Sequence, residues 1–238
     1  MESLQTGRVF QLSILAGLAA GGVLAGINMA LVRPYTTMIA DLEIENLLAE
    51  GAFNEEEFDI QLQWIYYYQI YGSIVIGLAA GALLGSTIVF GKLRISPLKS
   101  ALMIAGVAWL VLFVIPNVKY PPSPAATFEP GMAGTYQILL VGYTAVSGLA
   151  ALAIAFGFRK MRMKGKAMGA AAVYLIVVAV AFITFPDYQN EGDSLMPQTA
   201  VSTWRSAISL SMTAFWFSIG IICGLLWLYG SKSAGRGI

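Results

Sequence analysis

The chain has no histidine. Among its 238 residues there is one cysteine, Cys223, and only 11% of the residues are charged. Each shortage excludes something. Without imidazole, the usual zinc, haem and non-haem iron ligation is gone, with Ser-His-Asp catalysis and histidine proton relays. A single cysteine inside an apolar run rules out an intramolecular disulfide and a cysteine-cluster metal site. A soluble domain carries roughly 25% charged residues. A chain with so few cannot cover a water-facing surface, so lipid must solvate the remainder. A net charge of +1 offers no basic field for nucleic acid. No stretch matches the phosphate-cradling pattern G-x-x-x-x-G-K-[ST], so any transport is secondary or driven by another subunit.

What the chain has in excess is apolar sequence: 58% of residues are hydrophobic and the mean hydropathy is +0.72. The runs resolve into six spans of bilayer length, at about 9–32, 69–90, 99–116, 134–158, 167–186 and 204–229. The first is longer than the apolar region of a signal peptide and is read as a retained helix. The expected fold is all-α: one polytopic membrane domain, residues 1–238, with six transmembrane helices as three consecutive hairpins. Between spans one and two lies an external polar segment, 34–66. Its residues Met38–Leu48 read as a short amphipathic helix, ended by Gly51, and Asn54 with Glu55, Glu56 and Glu57 reads as the start of another. Together they form a short acidic helical cap. Trp64, Tyr66, Tyr67, Tyr68 and Tyr71 follow it as an interfacial belt.

Charge sets the orientation. With the N-terminus cytoplasmic, eleven of the fourteen Lys and Arg residues fall on the cytoplasmic side, as the positive-inside rule requires. The C-terminus is then cytoplasmic too. Arg33, Lys119 and Arg205 are the exceptions, at one depth on the opposite, acidic side. Ionisable groups there are functional candidates, and Glu129 and Asp187 are their candidate partners. Glu191 and Asp193 follow close behind. The plainer reading is that these charges snorkel or form structural pairs.

The densest signal is a proline segment. Pro116, Pro121, Pro122, Pro124 and Pro130 are five of the nine prolines, gathered within fifteen residues. Proline lacks an N–H and pushes the preceding residue to extended geometry, so this is a rigid rim segment. Each outward-running helix is expected to end at a proline: Pro34, Pro116 and Pro186. Lys119 is expected to turn back toward the bundle and meet a carboxylate or a helix C-terminus. Gly17, Gly21, Gly77, Gly81 and Gly85 form small-xxx-small stripes that let helices approach closely, a candidate surface for a helix–helix oligomer. Ser and Thr in the later spans, Thr144, Ser147, Ser209, Ser211, Thr213 and Ser218, either line a polar path or bond to their own helices. The ten methionines read as filler.

The word Lys119-Tyr120-Pro121-Pro122-Ser123-Pro124-Ala125, after a span ending at Pro116, resembles the Lys-Tyr-Pro-x-x-Pro-Pro word of the predicted cobalt transporter subunit family CbtA. Ala125 stands where the family has its last proline. Arg33-Pro34 before an acidic segment, the basic turn after span four, Pro186 and Trp204-Arg205 also follow the family's layout. The resemblance implies a membrane subunit for uptake of cobalt or another divalent cation, tied to cobalamin synthesis. It also implies a small histidine-bearing partner subunit. No bound cofactor is expected; Co2+ would be cargo. On the transport reading, the charges already singled out, Lys119, Arg33, Arg205, Glu129 and Asp187, are the site residues, with the proline motif Pro116, Tyr120, Pro121, Pro122 and Pro124 forming part of the entrance. The absent histidines argue against Co2+ coordination by this chain alone. The competing reading is a non-transporting accessory subunit that docks through the glycine stripes. An integral-membrane enzyme is the weakest reading, since there is no histidine, no second cysteine and no nucleophile elbow.

Overall fold

In a computed structural model, the described residues are 2–51, 54–91, 96–124, 132–159, 165–187 and 197–234, and all of their regular structure is helical. The elements are α1 (Glu2–Ile27), a π-turn π1 (Asn28–Val32), α2 (Arg33–Glu50), α3 (Glu55–Tyr67), π2 (Tyr68–Gly72) and α4 (Ser73–Gly91). Then follow α5 (Pro97–Trp109), π3 (Leu110–Val114), α6 (Ile115–Lys119), α7 (Met132–Arg159), α8 (Lys166–Thr184) and α9 (Gln198–Ala234). Six helical stretches are long and apolar enough to cross a membrane. Large apolar side chains such as Ile138 and Ile183 stand exposed on them, a pattern that suits lipid as solvent.

Two of the three prolines expected to end helices do not. The helix from Glu2 runs through Pro34 to Glu50, and that from Pro97 runs through Pro116 to Lys119. In both, a π-turn ends two residues before the proline. Proline removes one N–H and crowds the preceding turn. A π-turn is one residue wider, so it relieves that crowding without stopping the helix. Pro186 behaves as expected: α8 stops at Thr184, and Phe185 is extended at ψ 141°. The cap of 34–66 is correspondingly not a separate element. α2 continues span one, and α3 runs through π2 into span two. Their boundaries follow the sequence signals, since Gly51 takes the left-handed conformation (φ 69°) after α2 and α3 starts at Glu55.

The chain divides into two compact units, residues 1–107 with 198–238, and residues 108–197. The helices of the expected third hairpin, α8 and α9, therefore belong to different units.

In the first unit, α1 lies against α4 with almost no side chain between them. A Cβ on Gly21 would come 2.8 Å from Ser73 O, and one on Gly77 would come 2.7 Å from Gly21 Cα. Gly17 and Gly81 make similar backbone contacts, and Gly85 packs on Phe10 and Ser13. Lipid tails are as apolar as leucine, so burial drives this packing little; close backbone approach supplies dispersion instead. Gly17, Gly21, Gly77, Gly81 and Gly85 are thus occupied by packing inside one chain, while Gly22 and Gly26 have nothing packed against them. α9 packs on the other side of α1, where Ala16, Ala20, Leu24, Phe215, Ile219 and Cys223 are buried. Gly220 and Gly224 of α9 admit Leu98, Leu102 and Ala105 of α5.

The second unit is built on aromatic rings. Tyr120, Tyr136, Tyr143 and Ala181 form its core, with Ile115, Leu139, Leu140, Val178 and Phe185 packed around them. The Tyr120 ring meets Tyr136 and Tyr143 edge to face, each with centroids 5.9 Å apart, and Tyr143 meets Phe185 at 5.3 Å.

Candidate functional site

The proline segment organises the second unit. Past Pro116 the helix makes one last turn, closed by Tyr120 N–H on Pro116 O at 2.8 Å, and ends at Lys119. Tyr120 then turns inward and is fully buried. Its hydroxyl donates to Pro186 O at 2.7 Å, and the Tyr136 hydroxyl donates to Pro121 O. Two prolines that cannot donate therefore have their carbonyls held by tyrosines. This fixes the segment after span three to the end of α8 and the start of α7. Burial pushes the Tyr120 phenol up from its ordinary value; Asp187 adds to the rise and Lys119 opposes it. Pro124 is also buried, and Pro121 is exposed.

Lys119 does turn back. Its side chain is 4% exposed, its ammonium pairs with the Asp187 carboxylate, and it lies over the Phe182 ring at 4.6 Å. The carboxylate itself is 84% exposed. The arrangement is a shielded cation whose counter-ion faces outward.

The other sequence candidates fall elsewhere. Arg33 and Arg205 belong to the first unit. The Arg33 guanidinium lies over the Tyr66 ring at 4.3 Å, and the Tyr66 hydroxyl is bonded to Thr37 at 3.1 Å. Arg205 is half-buried on α9. Glu129, Glu191, Asp193, Ala125 and Pro130 lie outside the described residues. Among the described residues no three His, Cys, Asp or Glu side chains gather as a metal site.

Sequence reasoning passed over a polar network in the first unit, where π1, π2 and α9 meet. Ser211 donates to Asn28 Oδ1 at 2.5 Å, Asn28 Nδ2 to Ser73 Oγ at 3.1 Å, and Ser73 Oγ to Gln69 O at 2.5 Å. Gln69 Nε2 and Trp204 Nε1 each donate to Thr36 Oγ1 at 3.3 Å. One signal was available: Asn28 is a lone amide inside a long apolar run. In the second unit, Ser147 donates to Val111 O at 2.6 Å and is bonded to the Tyr174 hydroxyl at 2.7 Å.

A family model described as "Probable cobalt transporter subunit (CbtA)" matches residues 7–228, nearly the whole chain. The chain belongs to the CbtA family. The CbtA description makes it a transporter subunit and, with its six apolar stretches, a multi-pass membrane protein. No curated protein and no solved structure matches the chain.

Proposed function

We propose that this CbtA chain is the membrane-embedded subunit through which cobalt, or a divalent cation like it, enters the cell across the cytoplasmic membrane. The observation that carries the reading is the family match over residues 7–228. Both termini face the cytoplasm, so the proline segment and the acidic α2–α3 region face outward, where the acids gather cations from solution. The chain contributes no ATPase. It works with a small partner subunit whose histidines supply the imidazole this chain lacks.

The Lys119–Asp187 pair supports a role at the entrance. A cation approaching Asp187 competes with Lys119 for the carboxylate, and the ammonium repels any cation that enters unescorted. Arg33, Arg205 and Glu129 are further candidate charges on the outward side. The accessory-subunit reading is weaker, because Gly17, Gly21, Gly77, Gly81 and Gly85 pack within the chain and, of the small-xxx-small pairs in these spans, only Gly22 and Gly26 stay open.

The test is Co2+ uptake into proteoliposomes holding the chain with its partner subunit, read by mass spectrometry. Uptake above partner-only vesicles is expected, and Asp187→Asn lowers it several-fold while the protein remains folded. Equal uptake with and without the chain would sink the proposal.

A further inference from the structure

Four aromatic rings stand in the open along one face of the helix that leads into span two. Trp64 is 56% exposed, Tyr67 51%, Tyr68 68% and Tyr71 62%. Residues three, four and seven positions apart lie side by side on a helix, and π2 carries the row on to Tyr71. The rings touch. Trp64 meets Tyr67 with centroids 6.3 Å apart and planes at 68°, and meets Tyr68 at 5.9 Å, tilted by 32°. Tyr67 stacks on Tyr71 at 6.1 Å. Trp64 and Tyr67 thus form two walls of an open corner.

Position and charge say what covers this row. The same face continues into Val75 and Ile76 of α4, exposed apolar residues inside a stretch fit to cross a membrane. Lipid is the solvent of that face, and the rings extend it toward α3. From Tyr71 to Trp64 the helix rises roughly 10 Å, while one headgroup layer is roughly 5–8 Å deep. The rings therefore stand through the headgroup layer. Aromatic anchors at this level ordinarily share the work with Lys and Arg. Residues 34–91 contain neither, and they contain eight acids, from Asp41 to Asp59. Of these, Glu56 and Asp59 are exposed within two to three turns of Trp64. Where other rings hold a cation, the chain supplies it: Arg33 covers Tyr66 at 4.3 Å and Lys119 covers Phe182 at 4.6 Å. Among the described residues no such cation covers the Trp64–Tyr71 row.

We propose that this row binds the ammonium group of zwitterionic phospholipids, phosphatidylcholine or phosphatidylethanolamine, in the leaflet at the α3 end of span two. A ring face attracts an ammonium through its quadrupole, and the attraction grows as water is excluded. The neighbouring acids add to it and repel lipids of net negative charge. Tyrosine hydroxyls are donors suited to the phosphate of the same headgroup. The site selects the lipid around α3, and it rests on the membrane-spanning helices, independently of what the chain transports.

The test is native mass spectrometry of the full chain in detergent micelles, titrated with phosphatidylcholine or with phosphatidylglycerol of the same acyl chains. Phosphatidylglycerol keeps the phosphate and lacks the ammonium. In Trp64→Leu/Tyr68→Leu, leucine keeps apolar area and removes the ring faces. That variant should bind phosphatidylcholine about tenfold more weakly, the equivalent of two lost cation–π contacts, and bind phosphatidylglycerol as the wild type does. Trp64→Phe/Tyr68→Phe, which keeps the rings, should retain most of the phosphatidylcholine binding. If the leucine variant loses its monodisperse peak, Trp64→Leu alone is measured, with about threefold weakening expected. The proposal falls if the leucine variants bind both lipids unchanged. It falls equally if they lose both lipids alike, which makes the row a general apolar anchor. A wild-type dimer that the variants lose would also overturn it, giving the row to a second copy of the chain.

Discussion

The two units meet one structural problem and solve it differently. Each carries a proline inside a membrane helix, Pro34 in the first and Pro116 in the second, and each places a π-turn just before it. In the second unit the freed carbonyl is found and filled: Val111 O, five residues before Pro116, accepts from buried Ser147 of α7. Tyrosines then seal the region, with Tyr120 and Tyr136 satisfying the carbonyls of Pro186 and Pro121. Among the described residues, the buried side-chain groups left without a partner are Gln69 Oε1 and Trp216 Nε1 in the first unit and Asn117 Nδ2 in the second. The lesson is that a proline in a membrane helix creates an open valence. A neighbouring hydroxyl can fill it, as Ser147 does at Val111 O.

The contrast can be broken most forcefully in the first unit. Gly77→Leu drives a side chain into the backbone of Gly17 and Gly21, which cannot move aside. Its cost is expected at roughly 3 kcal/mol or more, read as loss of the monodisperse peak in size-exclusion chromatography. Gly26→Leu, at a position open to space, should be tolerated. In the second unit, Tyr120→Ala opens a cavity and should cost about 3–5 kcal/mol, as large-to-small aromatic changes do. Tyr120→Phe keeps the ring and loses only the bond to Pro186, about 1 kcal/mol. Thermal melting that ranks the two alike would mean that the hydroxyl, and not ring packing, holds the clasp.

Ser147→Ala tests the valence idea itself. It leaves Val111 O buried without a donor and should cost about 1–3 kcal/mol. In a Pro116→Ala background the restored N–H can serve a carbonyl of π3, so the same change should cost distinctly less. A double-mutant cycle in melting with no coupling would separate the serine from the proline. The smallest effect belongs to Asp187→Asn. Its carboxylate is mostly in water, so screening holds the loss to about 1 kcal/mol or less. Lys119→Met should nearly cancel it, because no unpaired ammonium then remains.

Much of this was legible in the chain. The six apolar runs, the stop at Gly51, the start at Glu55 and the extended residue before Pro186 are all local signals, and the helices obey them. The inward turn of Lys119 onto a carboxylate also followed from position, because a lone lysine at the end of a span has few routes back to a counter-charge. Other features were illegible for physical reasons. Pro34 and Pro116 looked like stops, since a π-turn has no sequence signature separate from the helix that contains it. The glycines announced a close contact without naming the partner; a stripe reads the same facing a second chain or facing α4. Gln69 carries no local signal of its place, because its bond to Thr36 exists only once spans one and two have met.

The sequence by itself determined that this protein lives in lipid, which stretches cross it, and the word that marks its family. Those depend on hydropathy, charge and short-range geometry, properties carried by consecutive residues. Only the tertiary structure decided that the glycine faces close on one another, that Ser147 closes the valence opened at Pro116, and that Asn28, Ser73 and Ser211 meet in one network. Those depend on which hydrogen-bonding groups meet from spans far apart in the chain, and no local pattern records that meeting.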